Sequence, residues 1–212
     1  MQRRNFICMT LAGAAAAAHG TEGAGTSTPV LLVLGDSLSA EYGIARGSGW
    51  VALLERRLAE RGRAVRIVNA SISGDTTAGG RARLPALLTR HKPVVLIVEL
   101  GSNDALQGTP LGTTRANLAA IIQAGKKVGA RTLLCGQQMP PNYGADYTAR
   151  FAALFGEVAQ AEDTALVPFF LKGVADSAEP LRLFQSDGLH PLAAAHPTIL
   201  DNVWPHLEPL LP

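Results

Sequence analysis

Cysteine is almost absent from this sequence: the 212 residues hold two, Cys8 and Cys135. Two cysteines exclude a small disulfide-stapled scaffold. Cys135 ends an apolar run and reads as a buried, inert thiol. Long hydrophobic runs are missing too, since no internal stretch approaches the ~20 uninterrupted apolar residues that cross a bilayer. The sequence contains no Cys-x-x-Cys, no His-Glu-x-x-His and no Gly-x-x-x-x-Gly-Lys. Those absences leave no metal motif and no phosphate loop, so no metal and no cofactor are expected. Internal repeats are absent. What is present in quantity is apolar: 47% hydrophobic against 17% charged residues, enough for one folded domain with a full core rather than a disordered chain.

The first residues differ from the rest. Met1 to His19 has a basic start at Arg3-Arg4, an apolar run and then small residues, the layout of a secretory signal. Arg3-Arg4 followed by Asn5-Phe-Ile7 resembles a twin-arginine signal, although the ordinary secretory route fits as well. Residues 1–19 are therefore expected to be a signal peptide, 20–28 a Gly/Ser/Thr-rich linker, and 29–212 the folded domain, exported to the periplasm or secreted. Cys8 leaves with the signal, so no disulfide is expected within the mature chain. The formal net charge of +2 falls to near zero once Arg3 and Arg4 are gone, so the sequence pI of 8.7 is no argument for nucleic-acid binding. The cluster Arg56, Arg57, Arg61, Arg63 and Arg66 reads as a solvated helix end and the loop after it. No stable membrane insertion is expected, and oligomeric state is not legible.

Short apolar runs alternate with helical patterns. Strands are predicted at Leu31–Leu34, Val65–Val68, Val94–Val98, Thr132–Cys135 and Leu166–Pro168. Helices are predicted around Trp50–Leu58 (capped by Ser48, stopped by Gly62), Leu84–Leu88 with Pro85 near its middle, Leu118–Val128, Tyr147–Val158, and Pro191–Leu207 interrupted or kinked by Pro197 and Pro205. Val94–Val98 is apolar on both faces, as a parallel strand buried between helix layers must be. The fold class is α/β: a single three-layer α/β/α domain with a five-stranded parallel sheet.

Polar residues gather where strands end. The first strand leads into Gly35-Asp36-Ser37, the second into Asn69-Ala-Ser-Ile-Ser-Gly74, and the third into Glu99-Leu-Gly-Ser-Asn103-Asp104. Parallel strands put all three loops on one edge, where open α/β sheets bind ligands. A serine there serves as a nucleophile only if a base, an orienting carboxylate and oxyanion donors come with it; otherwise it is a hydrogen-bonded turn. His190, three residues after Asp187, is the histidine whose spacing allows a carboxylate–imidazole bond within one turn. The same spacing also arises as a helix cap with a surface histidine. Asp36 reads as a brace for the serine loop and Asp104 as one for the asparagine loop. Glu99 is either a supporting residue or solvated.

Gly-Asp-Ser-Leu at 35–38, Gly74, Gly-x-Asn-Asp at 101–104 and Asp187-x-x-His190 occur in that order, and together they resemble the SGNH (GDSL) hydrolase family across essentially the whole mature chain. Gly-Asp-Ser-Leu-Ser-Ala, Asn-Ala-Ser-Ile-Ser-Gly-Asp-Thr, Ala-Arg-Leu-Pro-Ala-Leu-Leu and Pro-Asn-Tyr-Gly are similar to its bacterial thioesterase I / lysophospholipase L1 / arylesterase-like subgroup. The resemblance implies a flavodoxin-like fold and a serine hydrolase of carboxylic esters or thioesters acting through an acyl-enzyme. It implies Ser37 as nucleophile, His190 as base and Asp187 as orienter, with Ser37 N–H, Gly74 N–H and the Asn103 amide as oxyanion donors. Leu106, Met139, Tyr143, Phe184 and Leu189 are expected to line an acyl groove for a small-molecule substrate. The third block usually reads Gly-Gly-Asn-Asp in this subgroup, whereas here Ser102 takes the second glycine's place. Gln137-Gln138-Met139 replaces a stretch that is usually more apolar or basic. No Gly-x-Ser-x-Gly elbow is present, which disfavours an ordinary α/β-hydrolase. Carbohydrate O-deacetylation, performed by related branches, and a non-catalytic lipid- or glycan-binding module are the alternatives.

Overall fold

A computed structural model describes residues 28–212. The signal expected over 1–19 and the linker as far as residue 27 lie outside the described residues. Five strands form one sheet: β1 (Val30–Gly35), β2 (Arg66–Asn69), β3 (Val95–Glu99), β4 (Arg131–Cys135) and β5 (Ala165–Val167). Their order is β2-β1-β3-β4-β5 and every neighbouring pair is parallel. Each strand lies within one residue of its predicted span, because short β-branched and leucine runs bounded by glycine, asparagine or proline leave little choice of register.

Helices cover both faces. α1 (Trp50–Glu60) and α6 (His196–Leu207) pack on one side with Leu31, Val33 and Ile97. α2 (Thr77–His91), α4 (Leu111–Lys127) and α5 (Ala145–Ala161) pack on the other with Leu32, Leu34, Leu96 and Val98. Side chains of one strand alternate between the two cores, so β1 and β3 read as unbroken apolar runs. Cys135 is free and buried, and burial pushes its thiol well above the ordinary range.

Several helix ends differ from expectation. Ser48 is not the cap of α1: the N-cap is Gly49, without a side-chain cap of its own. Instead, Glu41 accepts the N–H groups of Gly47 and Gly49, and buried His196 accepts the Trp50 N–H on Nδ1 at 3.0 Å. Burial lowers the pKa of His196, which keeps that nitrogen free to accept. The closing helix starts at His196 rather than Pro191, after a 3₁₀ turn at Ala193–Ala195. Pro197 occupies its first turn, where the missing N–H costs nothing, and so begins the helix rather than kinking it. The arginine cluster is partly engaged: Arg57 and Arg61 lie over the Trp204 ring and pair with Asp201 and Glu208, joining α1 to α6.

From β1 the chain crosses to β2 on one side, and later to β3 on the other. β1 and β3 are thus neighbours from different halves of the sheet, with Gly35 opposite Glu99 in register. A crevice opens beyond their carboxyl ends.

Candidate active site

Ser37 occupies the turn that follows β1, half-buried at the crevice. Asp36 braces that turn as expected, its Oδ1 accepting the Leu38 N–H at 3.0 Å. The Ser37 Oγ lies 2.8 Å from His190 Nε2, and His190 Nδ1 lies 2.7 Å from Asp187 Oδ2. Ser37 and His190 are 153 positions apart in the chain, so only the tertiary fold joins them.

The histidine arm is a small antiparallel turn. Phe184 bridges Pro191, Gln185 N–H donates to the His190 carbonyl at 2.7 Å, and Gly188 N–H closes on the Gln185 carbonyl. Within it, Asp187 Oδ1 accepts the N–H groups of Leu189 and His190 at 2.9 and 3.0 Å. That leaves Oδ2 for the imidazole. Partial burial pushes the Asp187 carboxyl up, but the two N–H bonds, the imidazole bond and the charge of His190 outweigh it, bringing it down to about 2. An ionised Asp187 can only accept. His190 Nδ1 therefore carries the proton, and Nε2 faces the Ser37 hydroxyl as acceptor.

The three residues expected as donors each follow a strand end: Ser37 after β1, Gly74 after β2 and Asn103 after β3. Among the described residues, neither the Ser37 N–H nor the Gly74 N–H has an acceptor. Gly74 has φ +79°, and a Cβ there would meet nothing within 4 Å. The glycine is thus required by its backbone conformation and not by crowding. Asn103, on the short helix α3 (Ser102–Leu106), donates from Nδ2 to the Asp75 carbonyl at 2.9 Å and to Asp36 Oδ2 at 3.1 Å. The amide is thereby aimed between the first and second loops. Asp104 anchors α3 by accepting Thr77 N–H and Thr77 Oγ1–H at the start of α2, where a carboxylate also meets the positive end of the helix dipole.

Two buried acids lie beneath this loop. Burial raises Asp36 to about 6, against the opposing N–H of Leu38 and the charge of His190. Glu99 is fully enclosed, so it is a supporting residue and not a solvated one; burial, reinforced by the charge of Asp36, pushes it well above the ordinary carboxylate range. It accepts Ser39 Oγ–H at 2.7 Å and Gln137 Nε2–H at 2.6 Å.

A cavity of about 380 Å³ opens from Ser37 and His190. Leu106, Met139, Phe184 and Leu189 line it, joined by Leu171 and Leu181 of the segment after β5. Tyr143 does not line it. Gly144 caps α5 immediately after the Pro141–Tyr143 turn, and Tyr143 is left exposed.

The structure adds two residues that no spacing pointed to. Arg83 of α2 donates to the Asp75 carboxylate and to the carbonyls of Ala70 and Gly35, tying the loops after β1 and β2 together. Tyr42 lays its ring against His190, with centroids 4.4 Å apart. Arg83 lies in the Ala-Arg-Leu-Pro phrase, the one signal that could have drawn notice.

Comparison with known proteins gives the arrangement a context. A model described as the GDSL-like Lipase/Acylhydrolase family matches residues 33–197. The chain is 53% identical over 181 residues to a Pseudomonas aeruginosa protein named Esterase TesA, covering 85% of this chain and 89% of that one. It is 41% identical over 181 residues to the Escherichia coli K12 protein named Thioesterase 1/protease 1/lysophospholipase L1, covering 85% and 84%. A crystal structure of TesA superposes with a TM-score of 0.82 at 53% identity, covering 86% of this chain and 99% of that one.

Proposed function

The chain belongs to the GDSL-like lipase/acylhydrolase family, and from that premise we propose that Ser37 is its nucleophile, His190 its general base and Asp187 the group that orients the base. The enzyme hydrolyses carboxylic ester or thioester bonds. The observation that carries the assignment of roles is the unbroken line from Ser37 Oγ to His190 Nε2 (2.8 Å) and from Nδ1 to Asp187 (2.7 Å).

Ser37 Oγ attacks the acyl carbonyl as its proton passes to His190 Nε2. The developing oxyanion is met by the N–H groups of Ser37 and Gly74 and by the Asn103 amide, one of whose hydrogens leaves Asp36 Oδ2 for the new negative charge. Ionised Asp187 stabilises the imidazolium. The proton then goes to the leaving alcohol or thiol, the tetrahedral intermediate collapses and the acyl group remains on Ser37. Water, activated by the same imidazole, attacks the acyl-enzyme and releases the carboxylic acid.

The lining by Leu106, Met139, Leu171, Phe184 and Leu189 suits the hydrocarbon tail of an acyl group. Aryl esters, acyl thioesters and lysophospholipids fit this description better than acetylated sugars, which have no tail to fill the groove. Residues 1–19 carry an export signal, so the enzyme acts in the periplasm or outside the cell. Hydrolysis of p-nitrophenyl butyrate by the wild type and Ser37→Ala tests the assignment. Wild-type turnover and loss of it in Ser37→Ala are expected. An unchanged rate in the variant overturns Ser37, and preference for acetyl over octanoyl esters overturns the acyl-groove reading.

A further inference from the structure

Ser102 opens α3 after β3, and Gln137 follows β4; their side chains meet. The Ser102 hydroxyl donates to Gln137 Oε1. The other end of the same amide, Nε2, donates to Glu99 Oε1 at 2.6 Å. Glu99 Oε2 accepts from Ser39 Oγ at 2.7 Å, and Ser39 Oγ accepts from Trp50 Nε1 at 3.1 Å. A continuous chain of hydrogen bonds thus runs under the nucleophile turn, through the last residue of β3, and back up to the residue next to Asn103. None of these groups takes part in the hydrolytic steps.

The inner part of the chain is enclosed, with Glu99 0% and Gln137 4% exposed, while Ser102 is half-buried at the edge of the cavity. Water does not reach Glu99 or the Gln137 amide, so those two side chains depend on protein partners. Burial, reinforced by the charge of Asp36, pushes the Glu99 carboxyl well above the ordinary carboxylate range. The outer end of the chain of hydrogen bonds matters because α3 has only five residues and lacks a side-chain cap. This helix also starts from Gly101 at φ +133°, packed so closely that a Cβ would come 2.9 Å from Phe155 Cζ. Such a short helix has almost no intrinsic stability. Its first turn is held from outside, by Asp104 on one side and by Gln137 on the other.

We propose that Glu99, Gln137 and Ser102 are positioning residues that hold Asn103 in register with the oxyanion. The inference rests on Asn103 as an oxyanion donor, and its test separates the two claims.

The test is steady-state hydrolysis of p-nitrophenyl butyrate by the full chain and by Ser102→Ala, Ser102→Thr, Gln137→Leu, Ser102→Ala/Gln137→Leu and Asn103→Ala, with thermal unfolding alongside. A misplaced donor weakens the transition state more than substrate binding. Ser102→Ala and Gln137→Leu should each lower kcat about tenfold with KM nearly unchanged, and Ser102→Thr should recover most of the loss. The double variant should lose clearly less than the product of the two single losses, because the removed groups are each other's partners. Full kcat in Ser102→Ala with collapse in Asn103→Ala overturns the positioning role and leaves the site reading intact. Multiplicative losses, or a loss explained by unfolding at assay temperature, also overturn it. Full kcat in Asn103→Ala overturns the underlying reading and the proposal with it.

Discussion

The ring of Tyr42 lies against the imidazole of His190, centroids 4.4 Å apart and planes tilted by 41°. The loop that carries Tyr42 is clasped to the histidine arm, because Gln185 Nε2 donates to the Tyr42 carbonyl at 2.9 Å. An aromatic face beside an imidazolium stabilises the cation, by about 0.5–1 kcal/mol at an exposed site. Tyr42 is half exposed. Tyr42→Ala should therefore lower kcat about two- to fivefold, whereas Tyr42→Phe keeps the ring and should keep the rate. A Phe variant as slow as the Ala variant would assign the effect to the hydroxyl instead.

Asp187 offers a sharper test. Its Oδ1 is committed to two backbone N–H groups, so an asparagine would keep its oxygen there and turn its NH₂ toward His190 Nδ1. That forces the proton onto Nε2, the wrong tautomer for accepting from Ser37. Asp187→Asn should lower kcat by about 10²–10⁴ with an intact fold; a loss below threefold would remove Asp187 from the mechanism. Its carboxyl is brought down to about 2, so its contribution to stability is present above the unfolded carboxylate value and is lost as pH falls through about 2.

Asp36 titrates in the opposite sense. Its folded value is raised to about 6 by burial, so the folded chain holds a proton that the unfolded chain releases near 3.8. That contribution to stability is full below about 3.8 and is lost as pH rises through about 6. Compared with Asp36→Asn, the wild type should be relatively more stable at pH 4 than at pH 7 in urea unfolding. A pH-independent difference would mean that Asp36 titrates normally. The same substitution faces the Asn103 amide with another NH₂ when its oxygen serves Leu38, and kcat should drop with it.

The two glycines of the donor loops should differ when replaced. Gly74→Ala meets open space and bears the strain of φ +79° alone, about 1–2 kcal/mol. Gly101→Ala adds a Cβ 2.9 Å from Phe155 Cζ to a φ of +133°. Chemical denaturation should rank Gly101→Ala as clearly the less stable. Equal losses would show that the Phe155 ring gives way.

The sheet was legible because its signal is local. Val94 to Val98 and Leu31 to Leu34 are short, apolar and bounded, and no other register buries them. Helix ends were less legible because their partners are distant: the acceptor for the Trp50 N–H is His196, 146 positions along the chain. Glu99 could not be assigned from the sequence, since a glutamate at a strand end looks the same whether water or Ser39 and Gln137 surround it. Tyr143 was misplaced for a similar reason, as proximity along the chain to Met139 says nothing about which way a turn faces.

By itself the sequence determined the five parallel strands and, through four ordered motifs, the residues that gather at Ser37. The tertiary structure alone decided the environment of those residues: the ring over His190, the acids enclosed beneath Ser37, and the hydrogen bond from Ser102 to Gln137. Backbone conformation and apolar periodicity are properties of neighbours in the chain. Burial, pKa and the direction of a side-chain hydrogen bond depend on groups that only folding brings together.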